Sequence, residues 1–188
     1  MEVKGIAFLA RQAMAEATYG PEAWRAFLQR FAEREPVFAQ PVMPVTRLPV
    51  RPFLALHEAL VDTFHRGDTQ VYWRFGEAAG VHALTQGRMK GLFAHGELQR
   101  FLNFMPSSWR GYFTAGQLDV QALEDGNGLH TAELRIHGVP HPHLYFEYSI
   151  LGFVRAGLLE LGARSVELQP LAGYSRGDDE VRYLIRYA

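Results

Sequence analysis

The chain of 188 residues contains no cysteine. Disulfides, thiolate nucleophiles and thiolate metal sites are thereby excluded, and sulfur carries no information about redox compartment. Lysine is nearly missing as well: Lys4 and Lys90 stand alone, and every other basic residue is arginine or histidine. A formal net charge of −1 leaves no electrostatic argument for a nucleic-acid partner or an anionic membrane. No stretch reaches about 18 uncharged apolar residues, so membrane insertion is not expected. The start, MEVKGIAFLARQ, lacks the basic beginning, apolar run and small-residue cleavage site of a signal peptide. A cytoplasmic protein is the expectation. Catalytic signatures are missing too. There is no Gly-x-Ser-x-Gly elbow, and Gly76-x-x-x-Gly80 lacks the lysine that would follow in a phosphate loop. The chain is read as a non-enzyme.

What the sequence does hold is 48% hydrophobic residues, enough for one domain over residues 1–188 to bury a sizeable core without staples. The first part, 1–115, has helical periodicity. Ile6, Leu9, Ala10, Ala13 and Met14 predict a helix over 4–18, and Trp24, Phe27, Leu28 and Phe31 predict one over 21–34. Five prolines forbid a regular helix through 35–52, which reads as an ordered extended loop. Phe53, Leu56, Leu60 and Phe64 predict a third helix over 53–65, followed by one over 69–86 with Asp68 as its N-cap. A helix over 96–105 precedes Pro106, which starts a turn or short helix carrying Trp109, Tyr112 and Phe113.

After Gly116 the apolar period drops from about 3.6 to 2. Leu118, Val120 and Ala122 alternate with polar residues, Asp125-Gly126-Asn127-Gly128 signals a turn, and Ala132, Leu134 and Ile136 return. Leu144–Leu161 is apolar nearly all round, so it reads as a helix buried on more than one face. Two further strands, from Val166 and from Val181, complete a β-β-α-β-β part over 116–188. The fold class is α+β, an N-terminal helical layer packed on a four-stranded, mainly antiparallel sheet with a central buried helix.

Several short landmarks resemble a paralogous family of similar length, best known from myxobacteria and of undefined function. They are Lys4-Gly5, Tyr19-Gly20-Pro21-Glu22-Ala23-Trp24, Arg47-Leu48-Pro49, Trp109-Arg110-Gly111-Tyr112-Phe113, Gly116-Gln117-Leu118-Asp119-Val120 and Arg176-Gly177-Asp178. That family is similar, distantly, to haem-nitric-oxide-binding domains, to four-vinyl-reductase-type sensor domains and, more remotely, to a vesicle-tethering fold. The resemblance implies a helical layer over a sheet, an apolar pocket between them, and sensing or binding in place of turnover. Haem-binding relatives use a histidine on the helix before the sheet and a Tyr-x-Ser-x-Arg stretch. Here 97–113 holds no histidine, and Glu133-Leu134-Arg135-Ile136-His137 holds neither tyrosine nor serine. Haem is accordingly not expected, and no other cofactor is.

The densest polar constellation is His137-Gly-Val-Pro-His141-Pro-His143, with Glu147 one helical turn on; imidazoles at that spacing suit zinc or nickel. Against a metal site stand the two prolines, which fix the backbone, and a structural turn is the favoured reading. His57 and His82 sit on apolar helix faces, as core histidines satisfied by a carbonyl or as polar contacts in a ligand pocket walled by Tyr72, Phe101, Trp109 and Tyr148. The loop Ser175–Glu180 reads as a solvated turn or a partner-contacting rim. The first functional expectation is a non-catalytic sensor binding a small apolar ligand between the central helix and the helices of 53–86. The alternative is an interaction module without a ligand, working as a homodimer or through a protein partner, with the 36–52 segment, Tyr183 and Tyr187 as candidate surface. A haem-based gas sensor comes third.

Overall fold

The computed structural model describes residues 1–123 and 129–188, so the predicted turn at Asp125–Gly128 lies outside the described residues. It forms two compact units, Met1–Asp68 with Gly111–Thr114, and Thr69–Arg110 with Ala115–Ala188.

The first unit begins with a short strand, β1 (Glu2–Lys4), and the helices α1 (Gly5–Tyr19) and α2 (Pro21–Arg34). Gly20 separates the helices at φ 90, a conformation glycine adopts without penalty, and Pro21 opens α2, where a missing N–H costs nothing. The segment 35–52 is more ordered than its prolines suggest. It contains a 3-10 turn (Pro36–Phe38), a strand β2 (Arg47–Pro49) and the start of α3 (Val50–His65). Pro52 is tolerated because it falls in the first turn of α3, whose N–H groups have no intrahelical partner. β2 pairs antiparallel with β1, placing Val3 opposite Leu48, both fully buried. Phe8, Trp24, Phe27, Phe31 and Phe38 form the aromatic core against α2.

In the second unit α4 spans Val71–Thr85, and its cap position is Gln70 with no side-chain cap, so Asp68 is not its N-cap. α5 runs unbroken from Leu98 to Tyr112 through Pro106, where two pieces were predicted. Leu102, Met105 and Trp109 recur at helical spacing and are all buried, and this continuous packed face outweighs the hydrogen bond that proline removes. The sheet follows the predicted order, with β3 (Gln117–Ala122), β4 (His130–His137), β5 (Val166–Ala172) and β6 (Val181–Tyr187) around α6 (Leu144–Glu160). Its strands lie in the order β3-β4-β6-β5, every pairing antiparallel. Pro170 is accommodated because β5 is an edge strand with an irregularity at that point. Ala132, Leu134 and Ile136 of β4 and Val181, Tyr183, Ile185 and Tyr187 of β6 are buried. The opposite face carries an ion-pair ladder in which Arg182 meets Glu133, and Arg135 meets Glu180.

α6 is covered on every side. Phe101 of α5 lies over Gly157, Trp109 packs against Phe146 with ring centroids 5.7 Å apart, and α4 crosses it backbone to backbone. A Cβ on Gly76 would overlap the Ser149 carbonyl, one on Gly80 would come within 2.7 Å of Phe153 O, and one on Gly152 would overlap Trp73 O. The glycines of α4 therefore serve close helix approach. Ser149 Oγ donates to the Tyr72 carbonyl at 3.2 Å, and Arg155 reaches Glu77 at 2.8 Å, fastening the same seam. Gly76→Ala is expected to lose about 2 kcal/mol in urea denaturation, the backbone clash outweighing a helix-propensity gain of about 1 kcal/mol. Gly111→Ala, where an added Cβ meets nothing within 4 Å, should show no loss.

Candidate functional site

An apolar helix has few places for charge, and α6 puts one of them in the core. Glu147, in its first turn, is fully buried. A carboxylate there is tolerable only when its oxygens are hydrogen-bonded. The hairpin between β5 and β6 supplies three donors. Ser175 N–H reaches Oε2 at 2.8 Å, Ser175 Oγ reaches Oε1 at 2.8 Å, and the Tyr183 hydroxyl reaches Oε1 at 2.8 Å. Gly173 leaves the space: a Cβ there would lie 2.5 Å from Oε1. Asp178 accepts from the Gly173 N–H at 2.8 Å and folds the loop back on itself. The Tyr174 hydroxyl is buried beside this cluster with no hydrogen-bond partner. Burial, then the charges of Asp179, Glu147 and Glu180, push its ionisation up to about 12. The Tyr183 phenol is raised as well, first by burial and then by its hydrogen bond to Glu147.

The loop Ser175–Glu180, read from sequence as a solvated turn or rim, is thus also the clamp on the one buried carboxylate of α6. A sequence signal existed in Glu147, a lone acid within an apolar run, and in the Gly173-Tyr174-Ser175 that meets it. Neither marks a contact on its own, because 26 or more residues separate them.

The other predicted residues are distributed as follows. His57 lies in the first unit, fully buried. Arg11 Nε donates to its Nε2 at 3.2 Å, so the proton on Nδ1 is donated to the Phe53 carbonyl at 2.8 Å, and the ring is neutral. Tyr72, His82, Phe101, Trp109 and Tyr148 belong to the second unit. Tyr72 is buried, with rings of Phe75, His143 and Tyr145 edge-on to it. Phe101 stacks on Phe153 at 6.2 Å, and Trp109 donates from Nε1 to Gly116 O at 3.0 Å. His82 and Tyr148 are half-buried. Where α4 meets α6 the backbones touch, which leaves no room for a ligand along that seam.

The histidine cluster is drawn apart. His137 Nε2 pairs with Asp119 at 2.8 Å, whereas His143 Nδ1 accepts from Tyr145 N–H at 2.9 Å as the cap of α6. Among the described residues no three histidine, aspartate or glutamate side chains converge to hold a metal ion. Tyr183 and Tyr187, candidates for an exposed patch, are instead buried under the sheet, while Met43 and Val45 of the 36–52 segment are exposed. Among the described residues no helix is long and apolar enough to cross a membrane.

No protein-family model and no curated protein matches the chain. Solved structures do. An H-NOX protein from S. oneidensis in an Fe(II)NO ligation state aligns with TM-score 0.74 at 12% identity, covering 98% of this chain and 99% of that one. An oxygen-binding H-NOX domain related to soluble guanylate cyclases aligns at 0.70 and 11%, covering 98% and 94%. A structure described as modulating haem redox potential through porphyrin distortion aligns at 0.66 and 11%, covering 98% of each chain. The fold is therefore that of H-NOX proteins over essentially the whole chain. The expectation that set haem aside is corrected by these matches. It rested on a missing histidine and a missing Tyr-x-Ser-x-Arg stretch, and a shared fold does not require either to stay at its sequence position.

Replacing Glu147 by alanine strands three donors and should cost on the order of 3 kcal/mol in chemical denaturation, with Tyr183→Phe costing about 1 kcal/mol. Because the Tyr174 phenol ionises at a higher pH folded than unfolded, the unfolded chain binds fewer protons between pH 10 and about 12. Stability is expected to fall as pH rises through that window, and Tyr174→Phe to flatten the fall, as read from urea midpoints.

Proposed function

We propose that the chain is a non-catalytic binding domain of sensor type. The observation that supports this is the full-length likeness to H-NOX structures.

Haem is the first ligand to consider. It requires an axial donor set in apolar walls. On α5 the buried side chains are Phe101, Leu102, Met105 and Trp109, three apolar walls and one thioether of the axial type, and α4 adds the half-buried His82. Met105 and His82 are the side chains of these two helices whose chemistry could hold the iron. Bound there, haem iron would supply reversible binding of a diatomic gas. The chain's own part would be to hold the group among aromatic rings and exclude water.

A second reading, an interaction module with no ligand, is favoured by the glycine-mediated contact of α4 with α6, which is closed to a guest. One titration separates the two. The haem reading expects a saturable, one-to-one shift of the Soret band when haemin is added to purified protein, weakened by Met105→Ala or His82→Ala. A spectrum of free haemin throughout, with a homodimer or bound partner in native mass spectrometry, assigns the function to the interaction reading.

A further inference from the structure

The two most exposed large apolar side chains among the described residues are Val45 and Met43, 83% and 59% exposed, with only Pro44 between them. Apolar residues exposed singly are ordinary. These two differ because the backbone beneath them is fixed. Thr46 N–H donates to the Met43 carbonyl at 3.0 Å, closing a turn over 43–46 with Pro44 second in it, where the fixed φ of proline is favoured. The first two N–H groups of α1, which have no partner within the helix, hold the turn from below. Gly5 donates to Thr46 O at 2.7 Å and Ile6 to Pro44 O at 3.2 Å. Gly5 permits that approach, since a Cβ there would overlap the Met43 carbonyl. A rigid apolar knob loses little conformational freedom on docking, which suits it to anchor an interface.

A recess of matching character lies in the same unit. α1, α2 and the 3-10 turn border an open groove of about 820 Å³, with the buried Trp24 and Phe38 and the half-buried Leu28 and Ala32 in its lining. Two acids, Glu16 and Glu33, line it against one base, Arg25, whereas the exposed Arg47 follows the knob. Ala39 borders the groove, so at most about 14 Å of chain separates it from Met43. The exposure of Met43 and Val45 shows that neither fills the groove of its own chain. A knob and a recess side by side, opposite in charge, make a patch complementary to itself.

We propose that a second copy of this chain covers this face in a two-fold dimer. Met43 and Val45 of each copy enter the partner's groove, and Arg47 meets the partner's Glu33. A two-fold arrangement makes every contact twice and closes on itself. The proposal rests on the interaction reading of the chain and gives it a partner.

The test is sedimentation velocity of the full chain over a concentration series. The native chain is compared with the Met43→Ser, Val45→Ser double variant, with Arg47→Glu, and with Arg47→Glu combined with Glu33→Arg. All four positions are exposed, and circular dichroism shows that the variants fold. The expected result is a concentration-dependent native dimer, weakened on the order of tenfold or more by the two serines, weakened by Arg47→Glu and restored by Glu33→Arg. Because the chain has no cysteine, Val45→Cys protein mixed with Ala32→Cys protein under a mild thiol oxidant should give a mixed disulfide dimer in excess of the like-with-like dimers. A monomer at every concentration overturns the second-copy assignment; a foreign protein then found bound in native mass spectrometry preserves the interaction reading, and none found removes both. A dimer indifferent to the serines, or one without the mixed disulfide, overturns this surface. A dimer that the serines dissociate but that also binds haem keeps this surface and removes the ligand-free reading. Failure of Glu33→Arg to restore the dimer overturns the Arg47–Glu33 pairing.

Discussion

The second unit depends on one constraint, that α6 must be surrounded. Its sequence offers water almost no polar face, so each side has to find a neighbour. Glycine solves the hardest part. Gly76 and Gly80 on α4 and Gly152 on α6 remove the side chains that would hold the two backbones apart, and Gly157 makes the notch that Phe101 fills. The glycines cost helix propensity and return close contact over the length of the crossing. Once α4 and α5 occupy those sides, the face left over is the one the sheet covers.

The same constraint gives Glu147 its character. Placed in an enclosed helix, its carboxylate has no water and must be met by the chain. Ser175 and Tyr183 meet it from the β5–β6 hairpin, and Gly173 gives way to it. The hairpin thereby takes its conformation from a residue on the helix beneath it. Tyr174 and Tyr183 share the consequence, their phenols kept protonated by burial beside that acid.

The first unit is organised by aromatic stacking in place of helix-to-helix backbone contact. Phe8, Phe38, Trp24, Phe27 and Phe31 make a continuous series of ring contacts from α1 through α2 to the 3-10 turn. The Arg11–His57 pair is the polar exception, and the neutral ring tautomer is set by the Phe53 carbonyl.

Much of this was legible in the residues alone. The change of period after Gly116, the apolar completeness of Leu144–Leu161 and the Gly20-Pro21 break all act locally, through backbone preference and the repeat of burial. They therefore gave the element order and the α+β class. Gly76 and Gly80 announced a close approach without naming what approached. What came only from the tertiary structure is pairing over distance. Pro106 sits inside a helix because Leu102, Met105 and Trp109 are packed on both sides of it. His137 and His143 part because each finds its own partner, Asp119 or the Tyr145 N–H. Glu147 meets Ser175 across 28 residues, and the Trp24 indole N–H is buried in the first unit without a hydrogen-bond partner. A sequence fixes which groups need partners; only the folded chain decides which of those needs are met, because a hydrogen bond depends on distances of a few tenths of an ångström that no local pattern encodes.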